Sequence, residues 1–314
     1  MLATVTTAQP SVPERSTILN ENLIVQWLKF ADVSEKSVKS YNKGVRRFFC
    51  YLSSKGITAP TVDDVYSWKL QLKADGKSAS TINLYLTSTK LFFKFLNQRG
   101  LYNVDISHVK GCKISTEHKK DALTPEQGKR VLKSFDTSTL AGLRDRAMVT
   151  LMMCCGLRTI EVVRANVGDM VKSYGRTSLF VQGKGKDQKA ECVMLPPTVE
   201  VMIKKYLQAR GVTDVSAPLF AGIGNRNKDG RLTTTYVSRV VKTAFRAIGL
   251  DSDRLTAHSL RHSAATAMLL AGVELTKVQQ ILRHKNINTT LIYSHHLDRI
   301  DNHGEDAAAA AFVA

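Results

Sequence analysis

Between residues 18 and 101 apolar side chains recur every three or four positions, and no alternating stretch is long enough for a strand. In KSVKSYNKGVRRFFCYL, Val38, Tyr41, Val45, Phe48 or Phe49 and Leu52 form one stripe, with Lys39, Lys43, Arg46 and Arg47 largely off it. STINLYLTSTKLFFKFL repeats the arrangement. Thr61 with Asp64, and the Ser78–Ala79–Ser80 stretch, supply N-caps, while Gly56, Gly76 and Gly100 sit where helices should stop. The pattern predicts four helices in a small basic bundle over 18–105, preceded by a polar, Pro-containing lead-in over 1–17. Periodicity then lapses, and 106–120 reads as a linker ending in a charge cluster.

A second domain is expected over 121–296. LTPEQGKRVLKSF opens it, with Thr124 as cap, Pro125 at the first helical position and Gln127 completing a capping box. RDRAMVTLMMCCGLR places Met148, Leu151, Met152 and Cys155 on one face, a core helix closed by Gly156. TSLFVQGKGKDQKAECVML changes to period two, with Leu179 and Val181 on one arm, Val193 and Leu195 on the other, and a Gly- and charge-rich turn between. From Pro197 to Tyr293 the pattern returns to helix, and 297–314 is a C-terminal tail with a short Ala-rich segment. The expected fold class is mainly α with a small β-hairpin or sheet in the second domain, and the chain carries no internal repeat.

Composition narrows the class. Hydrophobic residues make up 43% and charged residues 23%, and no apolar run approaches the ~18 residues that span a bilayer. The N-terminus lacks a basic segment followed by an apolar one, so the expected location is cytoplasmic. The five cysteines are odd in number and none stands in a metal-binding spacing, so reduced thiols and no metal site are expected. The formal charge is +18, with 45 Lys+Arg against 27 Asp+Glu, and both halves carry it, +7 in 1–117 and +11 in 118–314. A polyanionic partner, nucleic acid above all, is the natural inference.

Four separated stretches carry candidate chemistry: GLRTIE (Arg158, Glu161), QGKGKDQK (Lys184), AHSLRHSAAT (His258, Arg261) and ILRHKNINTTLIYSHH (His284, Tyr293). Singly each has a bland reading as surface charge, solvated turn or packed aromatic. Together they read differently. His258 and Arg261 lie three apart, on one helical face, where an imidazole and a guanidinium can converge on one small anion. Two arginines, two histidines and a lysine around one phosphodiester would stabilise the added negative charge of a pentacoordinate phosphorus. A tyrosine hydroxyl, with an ordinary pKa near ~10, then makes sense as a nucleophile.

In the order and spacing of these motifs the sequence resembles the tyrosine recombinases, or phage-type integrases, with Xer-like enzymes nearest in layout. GLRxxE, a hairpin with GKG, HxLRH followed by SAATAML, then LRH with a tyrosine nine residues beyond His284, span some 135 residues in the family's order. The resemblance implies a two-domain C-shaped DNA clamp, a helical SAM-like core-binding bundle joined to a mixed α/β catalytic domain. It implies that Arg158 and Arg261 clamp the scissile phosphate, that His258 and His284 hydrogen-bond it and assist proton transfer, and that Lys184 protonates the leaving 5′ hydroxyl. Tyr293 would attack to give a 3′-phosphotyrosyl link, with Glu161 supporting.

No cofactor is implied. The implied partners are double-stranded DNA recombination sites, a homo-tetramer on two such sites, and room for an accessory DNA-bending or directionality factor, with nucleoid association in a prokaryote. Integration or excision of a mobile element and Xer-like resolution both fit. The rivals are type IB topoisomerase-like relaxation and a catalytically silent DNA-binding protein. Lys39, Lys43, Arg47, Lys77 and Lys90 are the expected DNA-contacting cations of the first domain. His262 is expected to pack beside Arg261, and Tyr174, Tyr206 and Tyr236 lie outside the motifs. One departure stands out: the family commonly has glycine immediately before the second histidine, where this chain has Arg283, whose charge could serve to hold DNA.

Overall fold

A computed structural model describes residues 20–114, 121–183 and 185–293, with the backbone alone at Lys36. The lead-in, the C-terminal tail, His295, His296 and Lys184 therefore lie outside the described residues. The chain divides into two compact units, 1–116 and 117–314.

The first unit holds α1 (Glu21–Phe30), α2 (Glu35–Ser54), α3 (Val62–Ala74) and α4 (Ala79–Gln98). Thr61 and Asp64 form the expected capping box on α3, and Ser78 caps α4 by accepting from the Thr81 N–H. Val45, Phe48 and Leu52 of the α2 stripe are fully buried, beside Trp27, Trp68, Phe92 and Phe93. The axes of α2 and α4 approach closely at Gly44, where an added Cβ would stand 2.1 Å from Ser88 Oγ.

The second unit is built around α6 (Leu140–Cys155), which follows α5 (Pro125–Lys133) and its Thr124–Gln127 capping box. Met148, Leu151, Met152 and Cys155 are buried as the stripe indicates, but Ala147 and Val149 are buried too. A helix covered on nearly every side is central, not peripheral. Around it come α7 (Thr159–Arg164), a sheet, α8 (Pro197–Arg210), α9 (Thr234–Ala247), α10 (Ala257–Leu270) and α11 (Leu275–Leu282).

The sheet has three antiparallel strands in the order β1 (Met170–Ser173), β2 (Arg176–Val181) and β3 (Glu191–Met194). The hairpin expected from period two is β2–β3, with Leu179 opposite Val193 and both facing the core. Strand β1 goes beyond that expectation. It is four residues long and mostly exposed, so it carries no alternation to read, and Tyr174 and Gly175, both at positive φ, turn it into β2. A second difference lies over 211–233, where the pattern suggested continued helix. Gly211, Pro218, Gly222, Gly224 and Gly230 punctuate this segment, which forms isolated bridges from Pro218 to Asn166 and from Ala221 to Arg231.

Helix α6 stops at Gly156, which is left-handed at φ 63 and ψ 32. A Cβ there would stand 2.3 Å from Leu282 Cδ2, so the glycine is needed for conformation and for the approach of the α11 end. Gly156→Ala should destabilise the protein by about 2–4 kcal/mol, combining left-handed strain with overpacking. Gly175→Ala, at φ 75 with nothing within 4 Å of its would-be Cβ, should cost about 1 kcal/mol. Equal losses in urea denaturation would show that the Leu282 contact imposes no constraint.

Candidate active site

The sequence after α6 turns at Gly156 and Leu157 and re-enters helix with Arg158 as the N-cap of α7. Arginine cannot accept from the helix N–H groups, so the first turn is closed from the other side. Glu161 Oε2 accepts from the Arg158 backbone N–H at 2.8 Å, and Glu161 Oε1 accepts from Arg158 Nη1 at 2.8 Å. The Glu161 side chain is fully buried. A third donor, Arg283 Nη2, reaches Oε2 at 2.8 Å. Burial pushes the Glu161 carboxyl up, but the charge of Arg283, the Arg158 N–H and the Arg158 charge outweigh it and hold the group below the ordinary carboxylate range.

Arg261 lies inside α10, 1% exposed. Its Nη1 donates to the Gly156 carbonyl and its Nη2 to the Leu282 carbonyl. These are unpaired carbonyls at the ends of α6 and α11, where helix dipoles favour a cation. Arg158 Nη2 extends the pattern, 3.4 Å from the Arg283 carbonyl. Burial and then the Arg158 charge push the Arg261 pKa down to about 9, which leaves it protonated at neutral pH. Three guanidiniums, of Arg158, Arg261 and Arg283, thus surround one carboxylate. The surplus of positive charge is what an entering phosphodiester would neutralise.

The imidazoles and Tyr293 complete the cluster. On α10, His258 is exposed and His262 buried, their ring centroids 4.9 Å apart. His262 in turn meets the Tyr293 ring edge to face at 4.8 Å. The His284 ring lies nearly parallel to Tyr293, centroids 6.3 Å apart, and its Nδ1 is 2.8 Å from Thr290 Oγ1. Burial first, then the charges of Arg261, Arg158, His258 and Arg283, push His284 down to about 4, so its imidazole is neutral near pH 7. Tyr293, 6% exposed, packs with Ala265, Val278 and Leu282. Its phenol is pushed above the ordinary tyrosine value because burial outweighs the opposing charges of Arg261 and Arg158.

Of the residues singled out from sequence, Arg158, Glu161, His258, Arg261, His284 and Tyr293 come together, and Lys184 lies outside the described residues. Residues that the sequence placed outside the catalytic set also belong to the cluster. His262 touches both His258 and Tyr293, a role foreshadowed by its four-residue spacing from His258. Thr290 fixes His284 with no sequence signal. Arg283 is left-handed at φ 57 and ψ 46, at a cost of about 1 kcal/mol relative to glycine. Its guanidinium points inward to Glu161 and to the Ile281 carbonyl, which corrects the reading of its charge as a DNA contact. Tyr206 and Tyr236 serve packing and accept from the Ala221 N–H and Arg144 Nη2. Tyr174 is fully exposed at its turn.

In the first unit Lys39, Lys43 and Arg47 follow one another at four-residue intervals and are exposed, a cationic stripe along α2. Arg47 and Lys77 line one recess with Cys50, Tyr51 and Trp68. Lys90 is half-buried, and its Nζ donates to the Ser107 carbonyl at 2.7 Å. No described helix is long and apolar enough to cross a membrane.

A mostly helical fold thus carries an arginine–histidine–tyrosine cluster whose charge suits a phosphodiester, and comparison with known proteins specifies the family. Residues 121–299 match the phage integrase family, and residues 25–100 match the phage integrase N-terminal SAM-like domain. Tyrosine recombinase XerD of Listeria monocytogenes serotype 4b is 30% identical over 289 residues, covering 87% of this chain and 94% of the relative. Tyrosine recombinase XerA of Pyrococcus horikoshii is 30% identical over 284 residues, covering 90% and 91%. Among solved structures, XerH site-specific recombinase in a post-cleavage complex with difH substrate aligns with TM-score 0.72 at 21% identity, over 94% of this chain and 90% of that one. A lambda integrase dimer on a COC′ core site aligns with TM-score 0.67 at 16% identity, over 87% and 94%. The chain belongs to the phage integrase family and is a tyrosine-type site-specific DNA recombinase.

The depressed His284 has a measurable consequence. In the unfolded chain this histidine takes a proton near pH 6.5, and in the folded protein only near pH 4. Its contribution is therefore fully present above 6.5 and is lost as pH falls through that window, by about 3 kcal/mol at most. In urea unfolding, the wild type should lose more stability between pH 7 and 4.5 than His284→Gln does. Equal losses would mean that His284 is not held neutral.

Proposed function

We propose that Arg158, Lys184, His258, Arg261, His284 and Tyr293 carry the strand cleavage and rejoining of this recombinase, with Glu161 supporting. Arg158 and Arg261 take the non-bridging oxygens of the scissile phosphate, and their charge opposes the negative charge added at the pentacoordinate stage. The phenol of Tyr293 gives up its proton to a neutral imidazole, with His284 beside it, and its oxygen bonds to phosphorus. The bond from phosphorus to the 5′ oxygen breaks, Lys184 supplies the proton to that leaving oxygen, and the DNA 3′ end remains on Tyr293. His258 hydrogen-bonds the phosphate from the exposed side. Reversal by a second 5′ hydroxyl rejoins the strand, and because one phosphodiester is exchanged for another, no ATP is consumed. The observation that carries this reading is the surplus of guanidinium charge held on the Gly156 and Leu282 carbonyls next to a buried tyrosine.

The partner is double-stranded DNA carrying recombination sites. Residues 18–105 act as the core-binding domain, using Lys39, Lys43, Arg47 and Lys77 on phosphates, and 121–296 as the catalytic domain, joined through 106–120, both acting on the duplex. Lys90, tied to a backbone carbonyl, is the weakest of the five contacts. Four protomers work on two sites, with the tail 297–314 docking between protomers, and an accessory DNA-bending or directionality factor is compatible with this scheme. The setting is cytoplasmic DNA, in integration or excision of a mobile element or in Xer-like resolution. The net charge of +18 supports the DNA assignment.

The test uses nicked duplexes with randomised arms, from which covalent protein–DNA adducts are recovered and sequenced. The wild type should enrich a defined site and exchange strands between two copies of it. Tyr293→Phe should form no adduct, and Arg261→Ala should cleave about 10²–10³-fold more slowly. An adduct that persists in Tyr293→Phe would overturn the nucleophile assignment. Relaxation of plasmids lacking the site, without exchange, would instead support topoisomerase-like action.

A further inference from the structure

Among the described residues, three non-glycine residues have positive φ: Tyr174, Asp229 and Arg283. The first two are exposed, whereas the Arg283 side chain is 5% exposed and folds under the α11 terminus. A long cationic side chain in a conformation suited to glycine, turned away from solvent, calls for a reason beyond ending a helix.

The contacts supply one. Glu161 Oε2 is shared between the Arg158 backbone N–H and Arg283 Nη2, while Oε1 takes Arg158 Nη1. Arg283 Nη1 donates to the Ile281 carbonyl at 2.6 Å, and the Arg283 carbonyl faces Arg158 Nη2. The same residue therefore meets the carboxylate with its side chain and a catalytic arginine with its main chain. It stands between Leu282, whose carbonyl receives Arg261, and His284.

We propose that Arg283 is a positioning residue for DNA cleavage: it shares the buried Glu161 carboxylate with Arg158, so that Arg158 remains available to phosphate and the α11 end stays registered on α7. The proposal rests on the assignment of Arg158, Arg261 and Tyr293 above. Without Arg283, Glu161 would be a fully buried carboxylate with Arg158 as the one guanidinium left hydrogen-bonded to it among the described residues, Arg261 being committed to the Gly156 and Leu282 carbonyls. Burying an anion is costly unless it is paired, so the carboxylate would draw the Arg158 fork onto both of its oxygens. The guanidinium meant for DNA would then be occupied by protein. The α11 terminus would also lose its side-chain tie to α7, and the Leu282 carbonyl and His284 would move with it. Glycine would suit the backbone better at this position but has nothing to offer Glu161.

The test measures single-turnover cleavage of the nicked duplex recovered by the selection, together with its affinity by gel shift. Arg283→Gly and Arg283→Met should bind that duplex within about threefold of wild type but cleave it at least about tenfold more slowly. Arg283→Lys, which keeps a cation, should recover part of the rate. In a Glu161→Gln background, where the carboxylate charge is gone, Arg283→Met should cause much less than the loss it causes in wild type. That non-additivity, and the recovery by lysine, would not follow from general loosening of the fold. Wild-type cleavage by Arg283→Gly would overturn the proposal, as would an equal loss from Arg283→Met in both backgrounds. If Tyr293→Phe lacks the adduct while Arg283→Gly cleaves normally, the catalytic assignment stands and the positioning role fails alone.

Discussion

The second unit is organised by a buried guanidinium. Arg261 has almost no access to water and places its terminal nitrogens on the last carbonyls of two helices, Gly156 after α6 and Leu282 at the end of α11. A buried cation needs such partners, and helix ends offer carbonyls that lack intrahelical donors. The arrangement sets demands on the local sequence. Gly156 must be left-handed and lack a Cβ so that Leu282 can approach, and α11 must end where its carbonyls turn toward α10. Glu161 then balances the neighbouring charge, taking Arg158 on one oxygen and Arg283 on the other. The site is thus a meeting of helix termini, closed by the Arg261 guanidinium and the Glu161 carboxylate.

The electrostatics of the site oppose both ionisation of Tyr293 and protonation of His284. Burial keeps the Tyr293 phenol protonated even with Arg158 and Arg261 acting in the opposite direction, and His284 stays neutral because burial first, and then the cations around it, oppose its protonation. An entering phosphate would change the balance at His284. Its negative charge would offset the arginines and lower the electrostatic cost of protonating a neighbouring imidazole. In the mechanism proposed above, the same surplus of positive charge would oppose the additional negative charge at phosphorus.

Much of this was legible in the sequence because the signals were local. Thr61–Asp64 and Thr124–Gln127 are capping boxes written within four residues, and the period-two arms around Leu179 and Val193 pair in the structure. The motif order also brought Arg158, His258, Arg261, His284 and Tyr293 forward as one group. What escaped depends on tertiary approach. Strand β1 is short and exposed, so its pairing with β2 leaves no hydrophobic alternation. The 211–233 segment follows glycines and a proline instead of a period. Arg283 looked like a charge available to DNA, and only the approach of α11 to α7 directs it onto Glu161. Thr290 is an ordinary threonine until the fold sets it against His284.

The most direct measurement of the chemistry is the identity of the modified residue. After trapping on the nicked duplex, nuclease and trypsin digestion should yield the peptide NINTTLIYSHHLDR, residues 286–299, with a nucleotide attached through its 3′ phosphate to Tyr293 in tandem mass spectrometry. A nucleotide on any other residue, or one attached through a 5′ phosphate, would contradict the assignment.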